Sequence, residues 1–235
     1  LSDITVHMKY ARFSPEKQRR ETWTEIVERN KSMHVTKFNL LYNNNIEFKN
    51  MLDNTYDLIH QKKVLPSMRS MQFGGKAIEV SNNRVYNCAF MPIDSVNAFS
   101  EAMFLLLGGT GVGYSVQYTN VNELPIKQEM QNIIPIKYEI PDSIEGWADA
   151  VKIGILSQLY GFPLDFDYGL IRPKGAILKT SGGRAPGHEP LKLCLEEIQK
   201  VLESVEAGKR MSSLNAHDIM CYLADADIVV LADNN

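Results

Sequence analysis

The stretch Pro66–Gln117, PSMRSMQFGGKAIEVSNNRVYNCAFMPIDSVNAFSEAMFLLLGGTGVGYSVQ, decides the fold class. A single cysteine, Cys88, sits in the apolar run VYNCAFMPI, bounded by Asn82–Asn83 and Pro92. A short run rich in β-branched and aromatic residues between turn formers predicts a buried strand. Asp94 or Ser95 then caps a helix whose apolar face is Val96, Phe99, Met103, Phe104 and Leu107. The glycine cluster GGTGVG, Gly108–Gly113, ends that helix, and a strand is expected over Tyr114–Tyr118. Upstream lie Ser67 and the pair Gly74–Gly75. A thiol fixed on a strand, flanked by glycines that admit a ligand to the backbone, suits a reaction centre. On the residues alone a structural cysteine is the other reading, because free cysteine is among the most buried residue types.

The order helix–glycines–strand is the reverse of a Rossmann phosphate loop, which runs strand–glycines–helix. The glycine cluster is not followed by Lys and Ser or Thr, so a P-loop is excluded, and no nicotinamide cofactor is expected. At 235 residues the chain can bury a sizeable core as one large domain or two small ones. Its net charge of −3 gives no general attraction to nucleic acid or anionic lipid. No apolar run reaches the roughly 18 residues of a membrane span. The N-terminus LSDITVHMKYARF lacks the pattern of a secretory signal. Three widely spaced cysteines form neither a disulfide framework nor a CxxC metal site. A reduced, cytoplasmic protein is the expectation.

Outward from the central stretch, Ser14-Pro15-Glu16 predicts a helix start, with a charged helix to about Lys37. The basic cluster Lys17–Arg20 then reads as a solvated helix face. A second helix is expected from Asn45 to Lys63, with Phe48, Met51, Leu52, Tyr56 and Ile59 as its apolar stripe. Residues 120–141 are polar, proline-punctuated and read as an irregular connection. Asp142-Ser143-Ile144-Glu145 resembles a capping box opening a helix that faces Trp147, Val151, Ile155 and Leu159 inward. Short strands are expected at Leu164–Tyr168 and Ala176–Lys179, and a mobile loop at Thr180–Pro190. Pro190 starts a helix with Leu191, Cys194, Ile198, Val201 and Val205 toward the core, and a last helix begins at Ser212 or Ser213. Cys194 and Cys221 read as core cysteines. His188 reads as a solvent-facing loop residue. His217 and Asp218 are adjacent and share no metal-binding face. Asp165 and Asp167 share one side of a strand without a third ligand, so no metal site is assigned.

The ordered blocks LPSMRSMQFGGK, YNCAF, LLLGGTGVGYSVQ, DSIEGWADAVK, IRPKGA and TSGGRAPGHEPL resemble the ribonucleotide reductase family. They are most similar to the catalytic chains of its adenosylcobalamin-dependent (class II) members, the compact phage and bacterial forms. The likeness runs from near the N-terminus to about Ala226. It implies an α/β fold, with an N-terminal helical cap (1–65) followed by the first half of a ten-stranded α/β barrel (66–235). Too little sequence precedes Pro66 for the family's ATP-cone module, so no overall-activity control of that kind is expected.

The resemblance also implies the chemistry. Cys88 matches one of two barrel thiols oxidised to a disulfide as the ribose is reduced. Ser67, Asn87 and Gly111 match positions that hold the substrate's phosphate and ribose. Asp94, with Ser95 as the alternative, matches an acidic residue on the ribose of the allosteric effector. The Thr180–Pro190 loop matches the loop linking effector identity to substrate base, with Arg184 as its base-contacting residue. The implied ligands are a ribonucleotide, a deoxynucleotide or ATP effector, and adenosylcobalamin, whose binding residues are not identifiable in this sequence. The implied partner is an external dithiol such as thioredoxin, in the cytoplasm, or in that of a host if the chain is phage-encoded. The family's radical cysteine, in an NPCGE segment, and its second disulfide cysteine lie later in the family chain and have no counterpart here. The expectation is an N-terminal half, inactive alone, whose remainder is carried by another chain or missing by truncation. The alternatives are an inert nucleotide-binding or regulatory fragment, and a part of a class I reductase.

Overall fold

The computed structural model describes residues 2–176 and 184–232. It forms two compact units, Leu1–Asn87 and Cys88–Asn235. Of the expected elements, the strand at Ala176–Lys179 beyond Ala176 and the first part of the Thr180–Pro190 loop lie outside the described residues.

The first unit is mostly helical. It contains α1 (Ser2–Lys9), a hairpin of β1 (Phe13–Ser14) and β2 (Arg19–Arg20), α2 (Trp23–Lys37), α3 (Asn39–Asn44), α4 (Ile46–His60), α5 (Met68–Phe73) and α6 (Lys76–Val80). Ser14-Pro15 does not start a helix. The Ser14 hydroxyl accepts from Lys17 N at 3.3 Å inside a tight turn, and Gln18 takes a left-handed φ of 52° to close it. The Lys17–Arg20 cluster therefore lies in a hairpin, where Lys17 and Arg19 pair with Glu25 at 2.5 and 2.8 Å. The helix begins at Trp23, because Thr22 and Glu25 form a reciprocal capping box there. Asn45 caps α4 as its sequence position suggests, its side chain accepting from Phe48 N.

Ala11, Ile26, Val27, Tyr56, Ile59 and Met71 make the small core of this unit. Around it, α2 uses polar groups to hold α5. Arg29 grips Glu21 through two nitrogens, at 2.8 and 2.9 Å, and donates to the carbonyls of Gly74 and Met71. Fully buried Asn30 donates to Ser70 O at 2.7 Å and accepts from Tyr56 Oη at 2.6 Å. Burial pushes the Tyr56 phenol up to about 12, so it stays a donor. Residues 66–87 thus pack with the N-terminal helices in one unit.

The second unit contains two parallel strand–helix–strand arrangements. The first is β3 (Cys88–Pro92), α7 (Val96–Leu107) and β4 (Gly111–Ser115). After a short helix α8 (Tyr118–Val121) comes the second: β5 (Ile136–Glu139), α9 (Ile144–Tyr160) and β6 (Leu164–Asp167). Helices α10 (Glu189–Glu203) and α11 (Ser213–Ala232) complete it. Parallel strands need a long crossover, and a helix satisfies its own backbone while making it. α7 packs on α9 and α11, and α10 packs on α9 and α11. Phe99, Met103, Ile155, Leu159, Leu191 and Ile219 fill the space between them, all fully buried.

Local chemistry shifts several boundaries. Ser143, not Asp142, caps α9, its hydroxyl accepting from Gly146 N at 2.9 Å; with glycine at the third helical position there is no reciprocal carboxylate. The strand expected over Tyr114–Tyr118 starts earlier, at Gly111, because β4 takes its partners from β3, and Tyr118 opens α8. The connection 122–135 is irregular, yet its backbone is pinned: Gln128 N donates to Leu159 O, Gln131 N to Gly161 O, and Lys127 N to Lys209 O. Lys127 Nζ also donates to Leu202 O at 2.7 Å and Val205 O at 2.8 Å, satisfying carbonyls that the end of α10 leaves open. No helix among the described residues is long and apolar enough to cross a membrane.

Two stability predictions follow from this unit. Gly161 ends α9 at φ 72°, and a Cβ there would lie 2.0 Å from Glu129 O; Gly208 has φ 82° with nothing within 4 Å. Gly208→Ala should cost only the left-handed backbone term, about 1–2 kcal/mol, while Gly161→Ala should cost clearly more in urea unfolding. Equal costs would show that the Glu129 contact relaxes freely.

Asp227 is 6% exposed, its Oδ1 has no hydrogen-bond partner, and burial raises its pKa to about 6. Below about pH 4 both folded and unfolded chains hold this proton, and folding is not penalised. Between about 4 and 6 the unfolded chain releases it while the folded one keeps it, so stability falls as pH rises, by up to about 3 kcal/mol. Asp227→Asn should be no less stable at acid pH and more stable at pH 7; an unchanged pH profile of the difference would refute this.

Candidate functional site

Cys88 opens β3, and the parallel register sets it beside Gly111, with Phe90 beside Gly113 and Met91 beside Tyr114. Successive side chains of a strand face opposite sides. Ala89, Met91, Val112 and Tyr114 lie on the side covered by helices, and the last three pack on the core. Cys88, Phe90 and Pro92 lie on the other side and are exposed, Phe90 by 74%. The expected buried strand is therefore a strand with one open face, because the helices of this unit cover only one side of the β3–β4 pair. On that open face the thiol and the Phe90 ring stand next to glycines, over bare backbone. This is the arrangement a planar or sugar-like ligand needs to approach both a thiol and main-chain N–H and C=O groups.

The other residues singled out in the sequence fall as follows. Asp94 is exposed and Ser95 occupies the N-cap position of α7 without a side-chain bond to the helix, so neither side chain is engaged in capping. Arg184 is exposed and donates to Gly175 O at 3.3 Å. Gly175 N to Ala185 O and Ala185 N to Ala176 O, both 2.8 Å, clasp the base of the loop that carries it. In the first unit, Ser67 caps α5, its hydroxyl accepting from Ser70 N at 3.2 Å. Asn87 is exposed and its Oδ1 accepts from Arg69 Nε at 3.4 Å. Within the second unit the structure brings Cys88 and Gly111 together; Ser67 and Asn87 belong to the first unit.

Sequence reasoning missed a cationic feature of the first unit. Arg69 and Arg84 both lie against the Phe73 ring, at 5.5 and 5.7 Å from its centroid. Burial, and then the charge of Arg69, push the Arg84 guanidinium down from its ordinary value. The signal was present as arginines at positions 69 and 84 around an aromatic, but their separation in the chain hid it.

A groove of about 540 Å³ opens beside β6, lined among others by Lys137, Asp165, Asp167, Tyr168 and His188. Lys137 pairs with Asp167 at 2.8 Å and holds its carboxyl below the usual range, helped by Gly169 N. His188 is not simply solvent-facing: its ring lies 5.6 Å from that of Tyr168, and its Nε2 is 3.0 Å from Glu189. Burial pushes the Tyr168 phenol up to about 12. Among the described residues no group of three or more His, Cys, Asp or Glu gathers as a metal would require.

Cys194 is buried on α10, and desolvation pushes its thiol up to about 12, which fits a packing role. Cys221 does not pack in the core. It is exposed on α11, one turn from His217, because the inward positions of that helix are Ala216, Ile219, Met220 and Leu223.

Comparison with known proteins carries the same resemblance. No family model matches the chain. It is 28% identical over 290 residues to the adenosylcobalamin-dependent ribonucleoside-triphosphate reductase of Lactobacillus delbrueckii subsp. bulgaricus, covering 97% of this chain and 39% of that protein. It is 30% identical over 181 residues to the corresponding reductase of Euglena gracilis, covering 73% of this chain and 24% of the relative. A crystal structure of a B12-dependent (class II) ribonucleotide reductase superposes with a TM-score of 0.82 at 25% identity, over 96% of this chain and 40% of that one. The chain thus resembles class II ribonucleotide reductases in both sequence and fold, and it spans about a quarter to two fifths of their length.

The exposure pattern predicts thiol reactivity. In the folded chain iodoacetamide should modify Cys88 and leave Cys194 untouched until denaturant is added. Modification of Cys194 under native conditions would contradict the packing described for α10.

Proposed function

We propose that this chain supplies part of an adenosylcobalamin-dependent ribonucleoside-triphosphate reductase, the activity named for its relatives, with Cys88 as one of the two thiols that reduce the ribose. The observation that carries this reading is the likeness across 97% of the chain, together with the exposed placement of Cys88 beside Gly111. The two parallel strand–helix–strand arrangements suit strands of the first half of the family's ten-stranded barrel, and the helical first unit suits its N-terminal cap. A cytoplasmic setting with a thioredoxin-like dithiol belongs to the same reading.

In this role a protonated thiol gives its proton to the departing 2′-hydroxyl, which leaves as water. Two electrons then pass to the sugar as Cys88 and a second thiol lose hydrogen and join as a disulfide, so one ribonucleotide and two thiols become one deoxyribonucleotide, one disulfide and one water. An external dithiol resets the pair by exchange. A cysteine thiol is mostly protonated at neutral pH, which suits it as the proton donor. Gly111 lets the ribose lie against the chain, Ser67 and Asn87 hold phosphate and ribose, Asp94 or Ser95 meets the effector ribose, and Arg184 reads the base. Guanidinium suits that last task, since its planar fork hydrogen-bonds a base edge or stacks on it.

Adenosylcobalamin supplies radical initiation when bound. Neither the groove beside β6, about 540 Å³ and lined by Phe166, Tyr168 and Ile171 as well as Lys137 and Asp167, nor that beside Lys127, about 370 Å³ and lined largely by charged and amide groups, is large enough for a corrin with its nucleotide arm. No step is assigned to it through this chain's residues.

The test is a reductase in which this chain is joined to the remainder found in its relatives. Cys88→Ser should abolish deoxynucleotide formation driven by external dithiol, with circular dichroism unchanged; normal turnover would remove Cys88 from the mechanism. Arg184→Ala should change the ratios of kcat/KM among the substrate bases more than their common value. A uniform loss across bases would assign Arg184 a structural part only.

A further inference from the structure

We propose that Cys221 is a second reactive thiol, a site of covalent oxidation by hydroperoxides, activated by His217 and positioned by Tyr114. Cys221 and His217 lie four residues apart on α11, so their side chains rise from one face. Cys221 Sγ is 3.6 Å from His217 Nε2. The other ring nitrogen, Nδ1, is 2.7 Å from Tyr114 Oη, and the two rings lie 5.9 Å apart at 35°. Tyr114 comes from β4, a different element, so a second part of the fold holds the imidazole in place. Burial first, and then Cys221, push the Tyr114 phenol up to about 12, so the hydroxyl keeps its proton.

These contacts set the protons. With Nδ1–H donating to Tyr114 Oη, the Nε2 lone pair faces the thiol and can take its proton. The Tyr114 O–H is then free to donate to the thiolate that results. A nucleophile beside a base that a third group orients is the arrangement by which a weakly nucleophilic side chain is activated. Cys221 is exposed, so a small reagent reaches it. The other two thiols differ: Cys194 is buried, and Cys88, though exposed, has Gly111 as its neighbour across the ladder.

The step is balanced as follows. Sγ attacks the distal oxygen of the hydroperoxide as its proton passes to His217 Nε2. The S–O bond forms, the O–O bond breaks, and the imidazolium returns the proton to the departing alkoxide. The thiol is oxidised by two electrons to a sulfenic acid, and the peroxide is reduced by two to an alcohol, or to water in the case of hydrogen peroxide.

The experiment exposes the full chain to hydrogen peroxide, traps sulfenic acid with a dimedone probe, and locates it by mass spectrometry. Cys221 should be trapped at least about a hundredfold faster than Cys88, the low end of what a positioned base contributes. His217→Gln should bring Cys221 down to the rate of Cys88. Tyr114→Phe, which keeps the ring in place, should also slow Cys221 and leave Cys88 unchanged. Equal trapping of Cys221 and Cys88 in the unaltered chain would overturn the proposal. So would an unchanged Cys221 rate in Tyr114→Phe, a result that stands even if His217→Gln fails to fold.

Discussion

The parallel pairing of β3 with β4 is the constraint on which the second unit depends. Two strands running the same way cannot be joined by a tight turn, so the chain must cross back over the sheet between them. α7 makes that crossing in 12 residues. Phe99 and Met103, both at zero exposure, bind the crossing to the rest of the core. Once α7 is fixed, the register is fixed too, and a slip by one residue would move Cys88 to the covered face and Met91 to the open one. Ile93 N donating to Ser115 O at 2.9 Å continues the ladder past the last paired residue and holds that register.

The first unit solves its packing differently. Its apolar core is small, and α5 is only 6 residues long, too short to hold itself. Polar groups of α2 take over: Arg29 and Asn30 satisfy carbonyls of α5 and of the turn after it. An arginine held by a bidentate carboxylate and two carbonyls is well satisfied, so its partial burial is tolerated. Leaving any one of these groups unpaired would be costly, which ties residues 66–87 to the N-terminal helices.

What the sequence made legible follows from how local the signals are. α4, α7, α9 and α10 each carry an apolar stripe at helical spacing, and all appear near their expected bounds, although a side chain caps only α4 and α9 among them. The errors arose where two local signals compete or where a distant partner decides. Ser14-Pro15 suits a helix start and a tight turn equally, and the stronger cap at Thr22 with Glu25 wins eight residues later. β5, with the sequence IKYE, has no apolar run of its own and exists because β6 pairs with it. The resemblance singled out Cys88, Gly111, Asp94 and Arg184, yet it could not show that one face of β3 is open, since that depends on which sides the helices cover.

The same dependence explains why the cysteines sort as they do. Composition treats three cysteines alike, and burial tendency makes all of them core residues. The structure separates them by geometry: one is buried on a helix stripe, one is exposed on the open face of a sheet, and one is exposed beside an imidazole. Tyr114 and Cys88 belong to adjacent strands but opposite faces, so Cys88 and the His217 that Tyr114 holds beside Cys221 lie on opposite sides of the sheet. A strand pair only five residues long can therefore present separate chemistry on each side, because alternation along β3 and β4 sends neighbouring side chains into different surroundings.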